Sequence, residues 1–394
     1  MLSLEGLKTL RPVPRITAFI FLTALVAALF TMPAFGQPAV HELYYNNSAW
    51  VDTNLSALVS GPSVNLGGIA AFNTTPNNQL HVYYLGYDEA ERVDHVHQLY
   101  FNGSSWSDDD LTALTGGVPG STEGGLSGFS IGNAQYIYFV GTDFDVHELS
   151  YVDSWIDSDL TVLTKGSFGY PYEIASFQTP SNHQRNVFYL GPSKHVHQLL
   201  FNGTKWTDQD LTKLTGGENG YGGISAFAIG KKQYIFFESS KKHVEEFLFT
   251  SSWVAEDLTV ANSLPSVTGT SVAAFAIPGT SKIHVYYNAS KSFAVHQLAN
   301  DTGAWKDENL TALTGGPGGL LTTQTVGFAT TPNKQLHVFF PGSPAGDVNQ
   351  LYYDGTTWVD EDLTVLSGGD QAAGSSGMAS FAIGNQQRLY YVGQ

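Results

Sequence analysis

Acidic residues recur at fixed distances from tryptophan along this chain of 394 residues. The acids two residues after a tryptophan include Asp108, Asp157, Asp208, Asp307 and Asp360, and those four residues after it are Asp110, Asp159, Asp210, Asp257 and Asp362. Acid–base catalysis needs one pair of groups with divergent pKa values in one cleft. A repeated pattern instead indicates turns, in which Asp or Asn accepts backbone N–H bonds before Leu-Thr. We therefore expect no enzyme. Calcium is a less favoured alternative, because a calcium loop concentrates more oxygen ligands in one segment.

The histidines suggest metal binding, because His95 and His97, like His195 and His197, place two rings on one strand face. However, one position of the pattern is shared by His41, His97, His147, His197 and His296, and is filled elsewhere by Glu245 and Asn349. Repetition favours packing and hydrogen bonding over zinc. We therefore predict no metal site and no cofactor.

The overall composition excludes several classes of partner and chemistry. The net charge of -17 argues against nucleic acid or anionic membrane as a partner, because phosphates attract basic surfaces. The absence of cysteine excludes disulfides, thiol catalysis and Cys-ligated zinc. Only 13% of the residues are charged, while Gly, Thr, Ser and aromatic residues are suited to strands and tight turns.

The N-terminal segment is typical of a secretory signal peptide. Lys8, Arg11 and Arg15 precede an apolar run, which ends in small residues at 34–36. We predict cleavage near Gln37, so that residues 1–36 are a signal peptide and residues 37–394 are an extracellular or periplasmic protein without membrane insertion. An uncleaved anchor helix is the alternative, since residues 16–36 are long enough to cross a bilayer, but Pro33 favours cleavage.

An internal repeat extends along the rest of the chain. The seven tryptophans are Trp50, Trp106, Trp155, Trp206, Trp253, Trp305 and Trp358, spaced 47 to 56 residues apart. A phenylalanine among small residues follows the same period, at Phe72, Phe129, Phe177, Phe227, Phe275, Phe328 and Phe381. Between them lie two short apolar runs, such as 80–86 and 96–101, that end in Gly or Asn-Gly as hairpin strands do. Each period therefore contains four strands.

Four strands repeated seven times match the blades of a β-propeller, and an open solenoid is the alternative. The strand with the phenylalanine is rich in Gly, Ala and Ser, which suits the narrow part of a wedge-shaped blade near the axis. The chain starts at 37 with two outer strands and ends with two inner ones, so both termini together would complete one blade. We predict an all-β, seven-bladed β-propeller with four antiparallel strands per blade. One of the seven blades is closed by both termini.

The repeated tryptophans point to carbohydrate. Trp206, Asp208 and Asp210 share one face of an extended strand. The C–H faces of a sugar stack on an aromatic ring, while its hydroxyls need charged or amide partners. Alternatively, each tryptophan only packs adjacent blades together.

The pattern R/H-V-Y-Y, followed by H-x-L-Y-x-D/N-G-x-x-W, resembles the repeat of the bladed propeller lectins that bind fucose. These include the six-bladed fungal fruiting-body type and the seven-bladed type of insect-pathogenic bacteria. In the fungal family the pocket lies between neighbouring blades and uses an Arg before the V-Y strand, a Glu on the next strand and aromatic walls. The resemblance implies that the seven tryptophans supply such walls.

The resemblance also assigns the polar residues of each pocket. The Arg place holds His81, Tyr136, Asn186, Tyr234, His284, His337 and Arg388, and the Glu place holds Glu42, Gln98, Glu148, Gln198, Glu246, Gln297 and Gln350. Arg388 and Glu42 are the one pair that matches the family pattern, so the blade formed by both termini is the best single site. Its wall would come from Trp50 or Trp106. Alternatively, Arg388 and Glu42 form a salt bridge that holds the ring shut and binds nothing.

The resemblance implies a secreted, multivalent, non-catalytic lectin for glycans or glycoconjugates, with pockets for fucose or a related deoxy or methylated sugar. Several weak sites would combine through avidity. A protein-interaction scaffold that uses its loop tips is one alternative, and a divergent polysaccharide lyase or glycosidase is another. The sequence predicts no particular oligomeric state.

Overall fold

The computed structural model describes residues 37–394 except 123, 172–173, 321–323, 332 and 376, and of 269–271 it describes only the backbone. The predicted signal peptide, 1–36, lies outside the described residues. Among the helices of the described part, none is long and apolar enough to span a membrane.

The chain forms seven four-stranded antiparallel sheets, which we call blades 1 to 7. In blade order, the inner strands are β3 (Ala70–Asn73), β7 (Leu126–Ile131), β11 (Ile174–Gln178), β15 (Gly220–Ile229), β19 (Val267–Ala276), β23 (Val326–Ala329) and β27 (Met378–Ile383). The second strands are β4 (Leu80–Asp88), β8 (Ala134–Val140), β12 (Arg185–Leu190), β16 (Lys232–Ser239), β20 (Ile283–Ala289), β24 (Leu336–Pro341) and β28 (Gln386–Gly393). The third strands are β5 (Val93–Phe101), β9 (Val146–Tyr151), β13 (Val196–Phe201), β17 (Val244–Phe249), β21 (Val295–Asn300), β25 (Val348–Tyr353) and β1 (Ala39–Tyr45). The outer strands are β6 (Trp106–Asp110), β10 (Trp155–Asp159), β14 (Trp206–Asp210), β18 (Trp253–Asp257), β22 (Trp305–Asn309), β26 (Trp358–Asp362) and β2 (Trp50–Asn54).

The blades close into a ring. Each inner strand contacts the inner strand of the next blade, and β27 of blade 7 contacts β3 of blade 1. Small residues permit this approach: a Cβ on Gly327 of β23 would lie 2.8 Å from the ring of Phe275 on β19, the inner strand of the preceding blade. The propeller and the predicted order of strands are confirmed, and the open solenoid is wrong.

Blade 7 is built from both ends of the chain. β1 pairs antiparallel with β28, in a register that runs from Ala39 opposite Gly393 to Tyr44 opposite Arg388. β2 pairs with β1, and β27 pairs with β28. The prediction that the termini complete one blade is confirmed.

A helix of five residues follows each outer strand, where the sequence predicted only a turn. The helices are α1 (Leu55–Val59), α2 (Leu111–Thr115), α3 (Leu160–Thr164), α4 (Leu211–Thr215), α5 (Leu258–Asn262), α6 (Leu310–Thr314) and α7 (Leu363–Ser367). The acid or amide four residues after each tryptophan is the N-cap, as in Asp110, whose Oδ1 accepts the backbone N–H of Ala113 at 2.9 Å. These side chains therefore accept backbone N–H bonds, as predicted.

The apolar core fills the space between blades. Leu85 and Val96 of blade 1, for example, belong to one buried cluster with Leu126 and Ile137 of blade 2. Because clusters extend across neighbouring blades, the free energy of burial is shared between them. The seven junctions between blades are therefore the main packing surfaces, and they also position the residues considered next.

Candidate functional site: the junctions between blades

Every tryptophan lies at a junction, with its ring edge-on to an aromatic ring of the preceding blade. The pairs are Trp106 with Tyr390, Trp155 with Tyr83, Trp206 with Tyr138, Trp253 with Phe188, Trp305 with Phe236, Trp358 with Tyr286 and Trp50 with Phe339, with ring centroids 5.9 to 6.5 Å apart. The tryptophans therefore do pack adjacent blades. Packing between blades, one of the two roles that the sequence suggested, is therefore present at every tryptophan.

Junction 7/1, between blades 7 and 1, contains the arginine and glutamate that match the family pattern. Arg388 Nη1 is ion-paired with Glu42 Oε1, which also accepts the hydroxyl of Tyr390 at 2.8 Å. The guanidinium carbon lies 4.3 Å from the ring centroid of Tyr44. The tryptophan at this junction is Trp106 of blade 1, because Trp106 faces Tyr390 whereas Trp50 of blade 7 faces blade 6.

The Arg388 guanidinium at junction 7/1 is cationic although it is largely buried. Burial lowers the pKa of Arg388, but Glu42 and Tyr390 together outweigh burial and leave that pKa raised, so the guanidinium stays cationic. The side chains of Arg388 and Glu42 are only 14% and 9% exposed. Arg388 Nε is buried and has no acceptor among the described residues. A buried donor without a partner is costly, so Nε lowers the stability of this junction.

Junction 2/3 contains a second arginine–glutamate pair, which the sequence analysis missed. Arg185 of blade 3 places Nη1 2.6 Å from Glu148 Oε2 of blade 2, and Tyr138 donates to the same oxygen at 2.8 Å. The guanidinium carbon lies 4.3 Å from the Tyr136 ring centroid and 5.0 Å from that of Trp206. Arg185 therefore occupies the space beside the tryptophan wall. Burial raises the pKa of Glu148, although Arg185 opposes this.

The sequence analysis placed Asn186 in the Arg position of this blade, one residue after Arg185. Neighbouring residues on a strand face opposite sides, so Arg185 points to the preceding blade and Asn186 does not. The sequence does contain a signal for Arg185, because it is the single cation among the residues that precede the Arg place in the seven blades. Those residues, in blade order, are Leu80, Gln135, Arg185, Gln233, Ile283, Leu336 and Gln387.

Three more junctions are bridged by pairs of glutamines. Nε2 of the glutamine in the Glu place donates to Oε1 of a glutamine on the next blade, over 2.7 to 3.1 Å. The pairs are Gln98 with Gln135, Gln198 with Gln233, and Gln350 with Gln387. Junctions 1/2, 3/4 and 6/7 are therefore closed by side chains of the protein itself, like junction 2/3. Asn186, in the Arg place, accepts a further bond from Gln198 at 2.9 Å.

The last two junctions lack such a bridge. The position one residue before the Arg place, which we call the bridging place, holds an aliphatic residue there instead of Arg185 or a glutamine. At junction 4/5 this residue is Ile283, and the Glu place holds Glu246, whose burial, reinforced by Glu256, raises its pKa to about 7. At junction 5/6, Gln297 donates to His284 Nδ1 at 2.6 Å and to the hydroxyl of Tyr286 at 2.9 Å.

Histidines occupy the Arg place in three blades, namely His81, His284 and His337. Each accepts at Nδ1 from the neighbouring Gln98, Gln297 or Gln350 at 2.6 to 2.7 Å. Burial lowers the pKa of His81 to about 4 and that of His337 to about 3. These rings are therefore neutral and cannot replace a guanidinium.

A second group of histidines is bonded to the acids two residues after tryptophan. Nδ1 of each histidine donates to a carboxylate over 2.9 to 3.2 Å, in the pairs His41–Asp52, His97–Asp108, His147–Asp157, His197–Asp208 and His296–Asp307. Asp208 is thus committed to a histidine and is not a free ligand beside Trp206. The repeated histidines serve hydrogen bonding and packing, as the sequence analysis predicted.

Comparison with known proteins decides the family. The model of the fungal fucose-specific lectin family matches residues 132–393. The chain belongs to this family. Membership of this family makes it a carbohydrate-binding lectin and not an enzyme. No curated protein sequence matches the chain significantly.

Solved lectin structures share the fold of this lectin. BP39L from Burkholderia pseudomallei is 15% identical with a TM-score of 0.60, and the alignment covers 81% of this chain and 89% of BP39L. A mutant of AofleA from Arthrobotrys oligospora is 12% identical with a TM-score of 0.52, covering 90% and 94%. A mutant of Aleuria aurantia lectin, solved in complex with alpha-methyl-L-fucoside, is 19% identical with a TM-score of 0.50, covering 76% and 96%.

Proposed function

We propose that the lectin is secreted and binds fucose, or a related deoxy or methylated sugar, at junction 7/1. The observation that supports this proposal is that Arg388, paired with Glu42 as in the family pattern, lies at the junction where Trp106 packs against Tyr390. Glu42 is the matching acceptor in the same pocket.

The three side chains have complementary roles in sugar binding. The fork of the Arg388 guanidinium can donate parallel hydrogen bonds to neighbouring sugar oxygens, which a histidine or tyrosine cannot imitate. Glu42 would accept from a sugar hydroxyl as a charge-assisted bond. The apolar face of the sugar, with the methyl group of a deoxy sugar, would lie against Trp106.

We further propose that the lectin is multivalent, with two weaker sites at junctions 4/5 and 5/6. These junctions share with 7/1 an aliphatic residue at the bridging place, namely Ile283, Leu336 and Leu80. Each keeps a tryptophan wall and a Glu246 or Gln297 acceptor. The other four junctions are closed by Arg185 or a glutamine, so we expect no sugar there. Weak sites on one ring can combine through avidity.

A glycan array on residues 37–394, followed by calorimetric titration with alpha-methyl-L-fucoside, tests this proposal. We expect fucosylated glycans to be captured, and Trp106→Ala to abolish the strongest site. Trp253→Ala removes the tryptophan of the bridged junction 3/4 and is the matched control, for which we expect unchanged binding. An array without fucosylated ligands, or equal binding by Trp106→Ala and the parent, would contradict the proposal.

A further inference from the structure

Blade 4 lacks a hydrogen-bonded triad that several other blades share. In blade 1 the carboxylate of Asp108 accepts from His97 Nδ1 at 3.0 Å and from the Tyr84 hydroxyl at 2.8 Å. The corresponding residues of blade 4 are Glu245, Phe237 and Ala255, in place of His, Tyr and Asp respectively. In blade 4 an acid therefore occupies the histidine position, and the aspartate and tyrosine of the triad are both absent.

Glu245 is consequently a buried carboxyl group with an unmet hydrogen-bonding need. The residue is 2% exposed, and its Oε1 has no hydrogen-bond partner within the described part of the chain. The nearby ammonium of Lys241 lies 2.5 Å from Glu218 instead. An acid buried without a partner is costly, so its presence at this position calls for a compensating group.

Two further ligand-type residues flank Glu245. His243 Nδ1 lies 2.8 Å from Asp257 Oδ2. One ligand atom from each of His243, Glu245 and Asp257 lies within 4.8 Å of the other two. The side chains of His243 and Asp257 are 21% and 26% exposed, so the cluster is open to solvent on one side. A cation could therefore enter without unfolding the blade.

We propose that His243, Glu245 and Asp257 form a binding site for one divalent transition-metal ion of the Zn²⁺ class. One imidazole nitrogen and two carboxylates suit Zn²⁺, and three protein ligands leave a position for water. The ion takes the place of the proton shared by His243 and Asp257, and the imidazole then carries its hydrogen on Nε2. The charge of the ion compensates both carboxylates. Calcium fits less well, because it prefers six to eight oxygen ligands.

Similar clusters in two other blades differ in one respect. His95, His97 and Asp110 of blade 1 also place ligand atoms close together. However, His97 Nδ1 is held by Asp108 at 3.0 Å, and in blade 2 His147 is held by Asp157 at 3.0 Å. Among these three clusters, only that of blade 4 contains a buried carboxyl group that lacks a hydrogen-bond partner in the described part of the chain.

The test is a calorimetric titration of untagged protein, dialysed against chelator and then buffer, with Zn²⁺. We expect Glu245→Gln to bind one equivalent fewer than the parent, and Zn²⁺ to raise the Tm of the parent more than that of the variant. His243→Ala should give the same loss. Glu246→Gln is the matched control, because Glu246 is the adjacent buried acid on the opposite face of β17, and it should retain the site.

Two outcomes would overturn the metal site. One is that the parent binds no Zn²⁺, and the other is that parent and Glu245→Gln bind it with equal stoichiometry and affinity. Glu245→Gln is nearly isosteric and should fold, and its Tm without metal verifies this. Sugar binding is measured separately, so failure of the metal site leaves the proposed lectin site at junction 7/1 unaffected.

Discussion

Arg185 reaches backwards across a junction to Glu148, whereas Arg388 pairs with Glu42 inside its own blade. The first pair joins β12 of blade 3 to β9 of blade 2, and the second joins β28 to β1 within blade 7. The same two residue types thus serve different purposes. Arg185 fills the space beside Trp206, while Arg388 leaves Nε without an acceptor among the described residues.

Arginine removal should separate the two roles. Arg185→Ala leaves Glu148 buried without its cation, so we expect a loss of about 3 kcal/mol in the free energy of unfolding and unchanged fucoside binding. Arg388→Ala should cost a similar free energy and also abolish the strongest fucoside site. Denaturant unfolding and calorimetry at a temperature where both variants are folded provide the measurements. If Arg388→Ala binds fucoside like the parent, the Arg388–Glu42 pair only closes the ring.

Deletion of residues 37–56 should destabilise the whole propeller. It removes β1 and β2 and leaves β28 as an unpaired sheet edge, which promotes association with other chains. We expect a lower Tm and aggregation, measured by scanning calorimetry and light scattering. A truncated protein that stays soluble and melts like the parent would contradict closure by the termini.

Chelation should leave glycan binding intact. The proposed sugar site consists of Arg388, Glu42 and Trp106, and needs no cation. Glycan capture in EDTA is the measurement, and addition of calcium afterwards is the control. Capture that disappears in EDTA and returns with calcium would show that the sugar is held through a cation.

Stability in metal-free buffer should be greatest near pH 5, because three buried carboxyl groups with raised pKa values outnumber two buried histidines with lowered ones. Burial raises the pKa of Glu238 and Glu246 to about 7 and that of Glu245 to about 8, from 4.5. The unfolded chain loses these protons first, so stability falls as the pH rises from about 4.5 towards 8. Burial lowers the pKa of His81 and His337 from 6.5 to about 4 and about 3, so stability also falls as the pH drops below 6.5.

Melting curves from pH 4 to 9 check this prediction. Glu246→Gln removes one of the raised groups and should reduce the loss on the alkaline side alone. A Tm that rises steadily from pH 6 to 9 in the parent would contradict the raised pKa values of these buried glutamates.

The sequence predicted the fold better than the site. Trp and Phe recur once per period, so the number of blades, the strand order and the closure by both termini could be predicted. The helices were not predicted from the sequence, because five residues are too few to show a helical period. Arg185 was missed because a shift of one residue reverses the face of a strand, and the wall could not be assigned before the ring showed that Trp106 faces Tyr390.

The pairing of β1 with β28 has a consequence for synthesis on the ribosome. Arg388 and Glu42 are 346 residues apart, so the hairpin formed by β1 and β2 emerges long before β28 and has no partner until β28 has been translated. Its exposed edge must avoid other nascent chains during that time. Closure of the ring is then a late, long-range event, and such contacts make folding slow. Chains released early by the ribosome would therefore never form blade 7.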